Sequence, residues 1–179
     1  MRRLGWGLAI AGLTVGLSGV WAQAPSAPAA SGTTAAKSSD LLVIEAGPGE
    51  RGVFTPATLR DYPQTKVTVF DRHAKKNVTY AGVPLMDLLA HLGVPHGKNL
   101  MGKPLQDYIV ATGSDGYKTV LSLGEVDPDF HPGTVLVADE LDGKPLGAKT
   151  GPFRLVVTED RNATRSVWKL VKIEVKKAE

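Results

Sequence analysis

The chain contains no cysteine. That single absence excludes disulfides, thiolate metal sites and cysteine nucleophiles together, so the fold must be held by its packed core. Aromatic residues are scarce, at 6% of the sequence, and no basic run interleaves with them. Nucleic acid is therefore not an expected partner. Charge of one sign is missing too: 21 basic residues face 18 acidic ones, and setting aside Arg2 and Arg3 of the N-terminal segment leaves a net charge of only +1. No G-x-S-x-G elbow marks a serine nucleophile. The four histidines, His73, His91, His96 and His131, lack metalloprotease spacing.

The one long apolar run is at the start. Arg2 and Arg3 precede "LGWGLAIAGLTVGLSGVWA", which reads as a secretory signal over residues 1–22. Cleavage is expected after Ala22 rather than Ala24, which would leave Pro25 next to the cut. An uncleaved anchor is the alternative, weakened by the glycines in a segment barely long enough to span. With the signal removed, no membrane association is expected, and the protein is periplasmic or secreted. The Arg2-Arg3 pair lacks the surrounding residues of a twin-arginine signal, so general export of an unfolded chain is the expected route. Residues 23–39, rich in Ala, Pro, Ser and Thr, form a flexible linker with little to bury. The remaining 40–179 is one domain.

Within it, hydrophobic alternation and turn residues predict many strands and few helices. "LLVIEA" is a buried strand, "KVTVF" and "VTYAGV" a hairpin, and "DYIVATG" and "YKTVLS" a second pair. "TVLVADEL" ends at the Asp142-Gly143 turn, and "FRLVVT" follows. In "VKIEVK", Val171, Ile173 and Val175 are expected inward. Thr55-Pro56 and the Ser122/Glu125 spacing predict two short capped helices. Leu85, Leu88, Leu89 and Leu92 mark the clearest helix, opened by Pro84 and stopped at Gly93. The class is α+β. "GPGERG" (47–52) fits a dinucleotide fingerprint only formally, because no long helix follows it; it is expected to be a plain loop. "EVDPDF" is expected to be a turn rather than a cation site.

The candidate site rests on polar residues near strand ends: Asp115 in the turn "GSDG", Lys149, Arg154 in "GPFR", and the loop "RNATRSVWK". That loop holds Arg161, Arg165, Ser166, Trp168 and Lys169. Arginine forks, a hydroxyl and free backbone N–H groups suit a phosphate-like anion. An indole can wall a planar ring.

"YAGVPLMDLL", "GSDGYKTVLSLGEV", "VLVADELDGKPL", "GPFRLVV" and "RSVWKLVKIEV" occur in order, with close spacing. Together they resemble, over roughly residues 41–176, the oxidoreductase molybdopterin-binding domain of the sulfite oxidase family. The resemblance implies an α+β fold with a mixed, mostly β core. It implies molybdopterin as cofactor, with contacts from Asp115, Arg154, Ser166, Val167 and Trp168. Family enzymes bind molybdenum through a cysteine, which this chain lacks; a loose alignment puts His73 near that position, the one metal candidate. A family histidine is matched at best by Lys149, and a longer N-terminal section is missing. The expectation is a pterin- or anion-binding module for a small anionic or heterocyclic ligand, without the usual Cys-ligated molybdenum. The alternative is an active periplasmic oxidoreductase acting on a small oxyanion or sulfoxide. A redox or protein partner is left open.

Overall fold

The computed structural model describes residues 40–72 and 74–178. The expected signal (1–22), the linker (23–39) and His73 lie outside the described residues. Among the described residues, ten strands build two five-stranded sheets. The strands are β1 (Leu42–Gly47), β2 (Glu50–Phe54), β3 (Thr65–Asp71), β4 (Lys76–Pro84) and β5 (Tyr108–Gly113). They continue with β6 (Lys118–Ser122), β7 (Val135–Leu141), β8 (Lys144–Pro145), β9 (Arg154–Val157) and β10 (Leu170–Lys176). One sheet runs β2-β1-β10-β5-β6, with β1 and β10 parallel and the other pairs antiparallel. In the other, β3, β4 and β7 are neighbours, and β8 and β9 share the far edge of β7.

Three short helices, α1 (Pro56–Leu59), α2 (Leu85–His91) and α3 (Leu123–Val126), complete the α+β architecture. Their ends follow from local chemistry. Thr55 caps α1 through the Thr58 backbone, and Ser122 caps α3 reciprocally with Glu125. Helix α2 ends before Gly93, whose φ of +81 suits a residue without Cβ.

Inward-facing side chains from both sheets, including Ile44, Ile109, Val137, Leu155 and Ile173, share one core with Leu85, Leu88 and Leu89 of α2. Alternation sends the other residues of β4, β7 and β9 to the opposite face of their sheet. There Val78, Tyr80, Leu136, Ala138 and Val156 form a second, smaller cluster. Arg154 is two residues from Val156 on β9, so it shares that face. The smaller cluster is therefore the base on which a site can be built.

Two expectations need correction. Residues 50–54 are not a loop: they pair with β1 as an edge strand, two-residue turn included. The glycine pattern there serves that turn, with Gly49 at φ +88. In β10, the alternation is interrupted by a register shift between Leu170 and Lys172. Leu170 consequently joins Ile173 in the core, and Val171 is only half-buried. "EVDPDF" is a turn as expected, with Asp127 accepting from Asp129 N at 2.9 Å and from Gly97 N at 2.6 Å.

Candidate functional site

Beta strand 9 carries the central residue. Its run "RLVV" is buried throughout, and a guanidinium in such a strand needs a special environment. Arg154 finds it between two rings: its Cζ lies 4.9 Å from the Tyr80 centroid and 4.9 Å from that of Trp168. Both π-faces attract the cation, more strongly where water is excluded. Arg154 Nη1 also donates to Tyr80 Oη. Its Nε is buried without a hydrogen-bond partner. Among the described residues, no carboxylate forms a salt bridge with Arg154. Burial pulls its pKa down from the ordinary guanidinium value, while Tyr80 and Asp71 act against that pull.

Arg154, Tyr80 and Trp168 line a cavity of about 500 Å³. Its remaining walls come from the end of β3, with Phe70 and Arg72, and from the loop between β9 and β10, with Arg161. That loop is tied down at several points. Arg72 Nη2 donates to the Arg161 carbonyl at 2.5 Å, and Tyr117 Oη donates to the Thr164 carbonyl at 2.5 Å. Arg165 grips Asp160 through Nε at 2.9 Å and Nη2 at 2.6 Å. Ser166 Oγ accepts from Val157 N at 3.1 Å, and Val167 exchanges backbone hydrogen bonds with Leu155. The loop is thus fastened to β9, β3 and the β5–β6 turn.

The predicted residues separate into two groups. Arg154, Ser166, Trp168 and Arg161 line the cavity. Val167 is fully buried in the core behind it, and Trp168 is 45% exposed as a wall rather than a core residue. Asp115 lines neither this cavity nor a second cleft of about 490 Å³, which Ser114, Lys169 and Pro152 border. Its Oδ1 accepts from Tyr117 N at 3.0 Å, closing the turn around Gly116. Arg165, expected to face an anion, is committed to Asp160 and Glu125. Lys149 is exposed in the turn before β9.

Sequence reasoning missed Tyr80, Arg72 and Phe70. Tyr80 opens the "YAGVPLMDLL" block but looks there like any strand aromatic, and it alternates with Val78 on the face that receives Arg154. Arg72 and Phe70 sit where a hairpin strand ends, a place that carries no chemical signature until the loop opposite is folded.

The arrangement fits the organic, anionic part of a pterin cofactor. It offers three arginines, an indole wall and a buried cation whose free edge can only donate. A metal finds less: among the described residues, no group of three His, Asp or Glu side chains is placed to hold one, and the chain has no cysteine.

Comparisons with known proteins bear on the fold and the family. The crystal structure of the sulfane dehydrogenase SoxCD from Paracoccus pantotrophus superposes with a TM-score of 0.59 at 22% sequence identity. The match covers 78% of this chain and 39% of the SoxCD chain, so this chain spans well under half of that protein's length. At that identity the likeness establishes the fold. No curated protein sequence matches the chain. Residues 50–179 match the family described as the oxidoreductase molybdopterin binding domain. That match takes in β2 to β10 and every residue lining the cavity, and the chain accordingly belongs to this molybdopterin-binding domain family of the sulfite oxidases.

Proposed function

We propose that the chain is an exported pterin- and anion-binding module of its family, working without a Cys-ligated molybdenum. The observation that carries this reading is Arg154, stacked between Tyr80 and Trp168 in a cavity with no salt-bridging carboxylate among the described residues. A buried cation that no carboxylate salt-bridges among the described residues is a strong site for an anion from outside the protein. Arg72 and Arg161 add positive charge around the same cavity, whose volume of about 500 Å³ lies in the usual range for a small-molecule site. Arg154, Ser166 and Trp168 would hold the organic part of the cofactor. Val167 would support them from behind, and Asp115 would contribute through its turn.

Family membership favours a second reading, an active periplasmic molybdopterin-dependent oxidoreductase acting on a small oxyanion or sulfoxide. When bound, a molybdenum cofactor supplies two-electron redox chemistry. Here the protein would have to hold that metal without a thiolate, through His73 or through the cofactor's own sulfurs alone. Neutral imidazole offers a lone pair but no compensating negative charge near pH 7. For that reason the binding module is preferred.

Metal and pterin analysis of protein from its native compartment separates the two. A bound pterin or other anion with far less than one molybdenum per chain is the expected result. Stoichiometric molybdenum that disappears in His73→Ala would overturn it and make His73 a ligand.

A further inference from the structure

Tyr80 belongs to none of the polar motifs that point to the site, yet it sits at the centre of it. Its ring is only 2% exposed and still lines the cavity. A phenol both donates and accepts. The accepting side is taken by Arg154 Nη1. Among the described residues, no carbonyl, carboxylate or hydroxyl receives the phenolic hydrogen. A buried donor left unmade is costly, so native structures rarely tolerate one without a use. Asp71 borders the same cavity, but its Oδ1 accepts from Ala74 N at 2.9 Å and closes its own turn.

We propose that the Tyr80 hydroxyl donates directly to the bound anion, beside Arg154, and so determines which ligands the cavity accepts. The inference rests on the anion-binding reading above and adds its selectivity. Arg154 Cζ lies 4.9 Å from both ring centroids, and its Nη1 is bonded to the Tyr80 hydroxyl, so the phenol and the guanidinium sit side by side in the cavity lining. Donation from a cation to the phenol oxygen polarises the O–H bond and strengthens its own donation onward. Two convergent donors suit an oxygen bearing only lone pairs, as in a deprotonated phosphate-like group. A ligand presenting N–H or O–H at that point meets two donors and leaves them unpaired, which is how such sites reject near-isosteres. Burial raises the Tyr80 pKa, opposed by Arg154, so the hydroxyl keeps its hydrogen through the neutral range.

The test uses the full chain, inorganic phosphate as the probe, and titration calorimetry at neutral pH on wild type, Tyr80→Phe and Arg154→Ala. Phenylalanine keeps the ring, its packing and its cation–π contact but leaves Arg154 Nη1 without its acceptor, so the melting temperature should fall somewhat while the fold is retained. Phosphate affinity in Tyr80→Phe should fall at least about tenfold, the equivalent of one hydrogen bond to a charged group. Wild-type affinity in Tyr80→Phe, with binding lost in Arg154→Ala, would overturn the role of Tyr80 and leave the anion site standing. No phosphate binding by wild type would sink the anion site and the Tyr80 proposal together. If Tyr80→Phe fails to fold, wild-type protein labelled at the ζ-carbon of its four tyrosines gives the answer by NMR. One ζ-carbon resonance should shift on adding phosphate; four unmoved resonances would reject the proposal.

Discussion

Arg165 Nη1 lies 2.6 Å from Glu125 Oε1, although the two residues are 40 positions apart. Glu125 uses its other oxygen to accept from Ser122 N at 2.8 Å, capping α3. Arg165 uses its remaining nitrogens on Asp160. One guanidinium therefore fastens the cavity loop to a helix cap on the neighbouring segment. Burial pushes the Glu125 carboxyl up, but the bonds from Arg165 and Ser122 outweigh it and hold the pKa below the ordinary value.

Arg165→Ala releases that loop. Glu125 is more than a third exposed, but Asp160 is only 14% exposed and loses two bonds, so the loss in global stability should be modest, about 1–2 kcal/mol. The larger effect should be on ligand affinity, because Arg161 and Thr164 lose the fixed loop that presents them. The stabilising part belongs to a depressed carboxyl: it is present above about pH 4.5 and is lost as pH falls through the lower folded value. Denaturant melts of wild type and Arg165→Ala from pH 7 to pH 3 should converge at the acid end. A gap that widens in acid would contradict this.

Arg154 is predicted to be the strongest single determinant of binding. Removing it in Arg154→Ala takes away a charge-assisted contact, on the order of 1.5–3 kcal/mol for a desolvated anion. Arg154→Lys keeps the charge but not the planar fork or the stack between two rings. Calorimetry should therefore show a clear loss of affinity in both variants, greater in alanine. Unchanged affinity for every pterin and oxyanion tried would remove this cavity as the binding site.

Most of the secondary structure was legible because it depends on neighbours along the chain. The Thr55 and Ser122 caps, the leucine spacing of α2 and the Asp142-Gly143 turn all act within a few residues. The site was legible only in part. Arg154 announced itself as an arginine beside a glycine-proline turn at a strand end, and Trp168 as an indole in a basic loop. Tyr80 did not, since its meaning comes from β9, which lies 74 residues away in the hydrogen bond they share. Arg165 misled for the same reason: an arginine beside Ser166 looks like an anion ligand until Asp160 and Glu125 are brought to it. The shift of Leu170 into the core was hidden as well, because a bulge is set by pairing with β5 and not by the alternation of β10 itself.

Gly82 marks a close approach between β4 and β7. A Cβ there would run into the Val137 carbonyl oxygen and the Ala138 backbone, at the register shift between Ala81 and Gly82. Backbone on both sides cannot give way as a side-chain tip can. Gly82→Ala should cost about 1–3 kcal/mol, the usual range for overpacking. Because Tyr80 precedes the shift on the same strand, the variant should also loosen the Arg154 stack. A melting temperature equal to wild type would show that the two strands can part freely.

Asp139 offers a pH test of the core that is independent of the cavity. Its side chain is 1% exposed, and Arg60 Nε approaches Oδ2 at 3.3 Å. Among the described residues, neither carboxylate oxygen makes a hydrogen bond of ordinary geometry, the Arg60 approach at 3.3 Å being a loose ion pair. Burial raises the Asp139 pKa, with Arg60 opposing and Glu140 assisting. A carboxyl raised in the folded state binds its proton more tightly there than in the unfolded chain. Stability from this group is therefore greatest below the unfolded value of about 3.8 and declines as pH rises through the folded one. Asp139→Asn removes the titration while keeping the shape. Relative to wild type, the variant should gain stability as pH rises from about 3.8 through the raised folded value, and the gain should level off above it. Denaturation midpoints across that range measure the difference directly. A difference that stays flat with pH would mean that Arg60 fully compensates the buried charge. A difference moving the other way would mean the ion pair outweighs burial, placing the Asp139 pKa below its ordinary value.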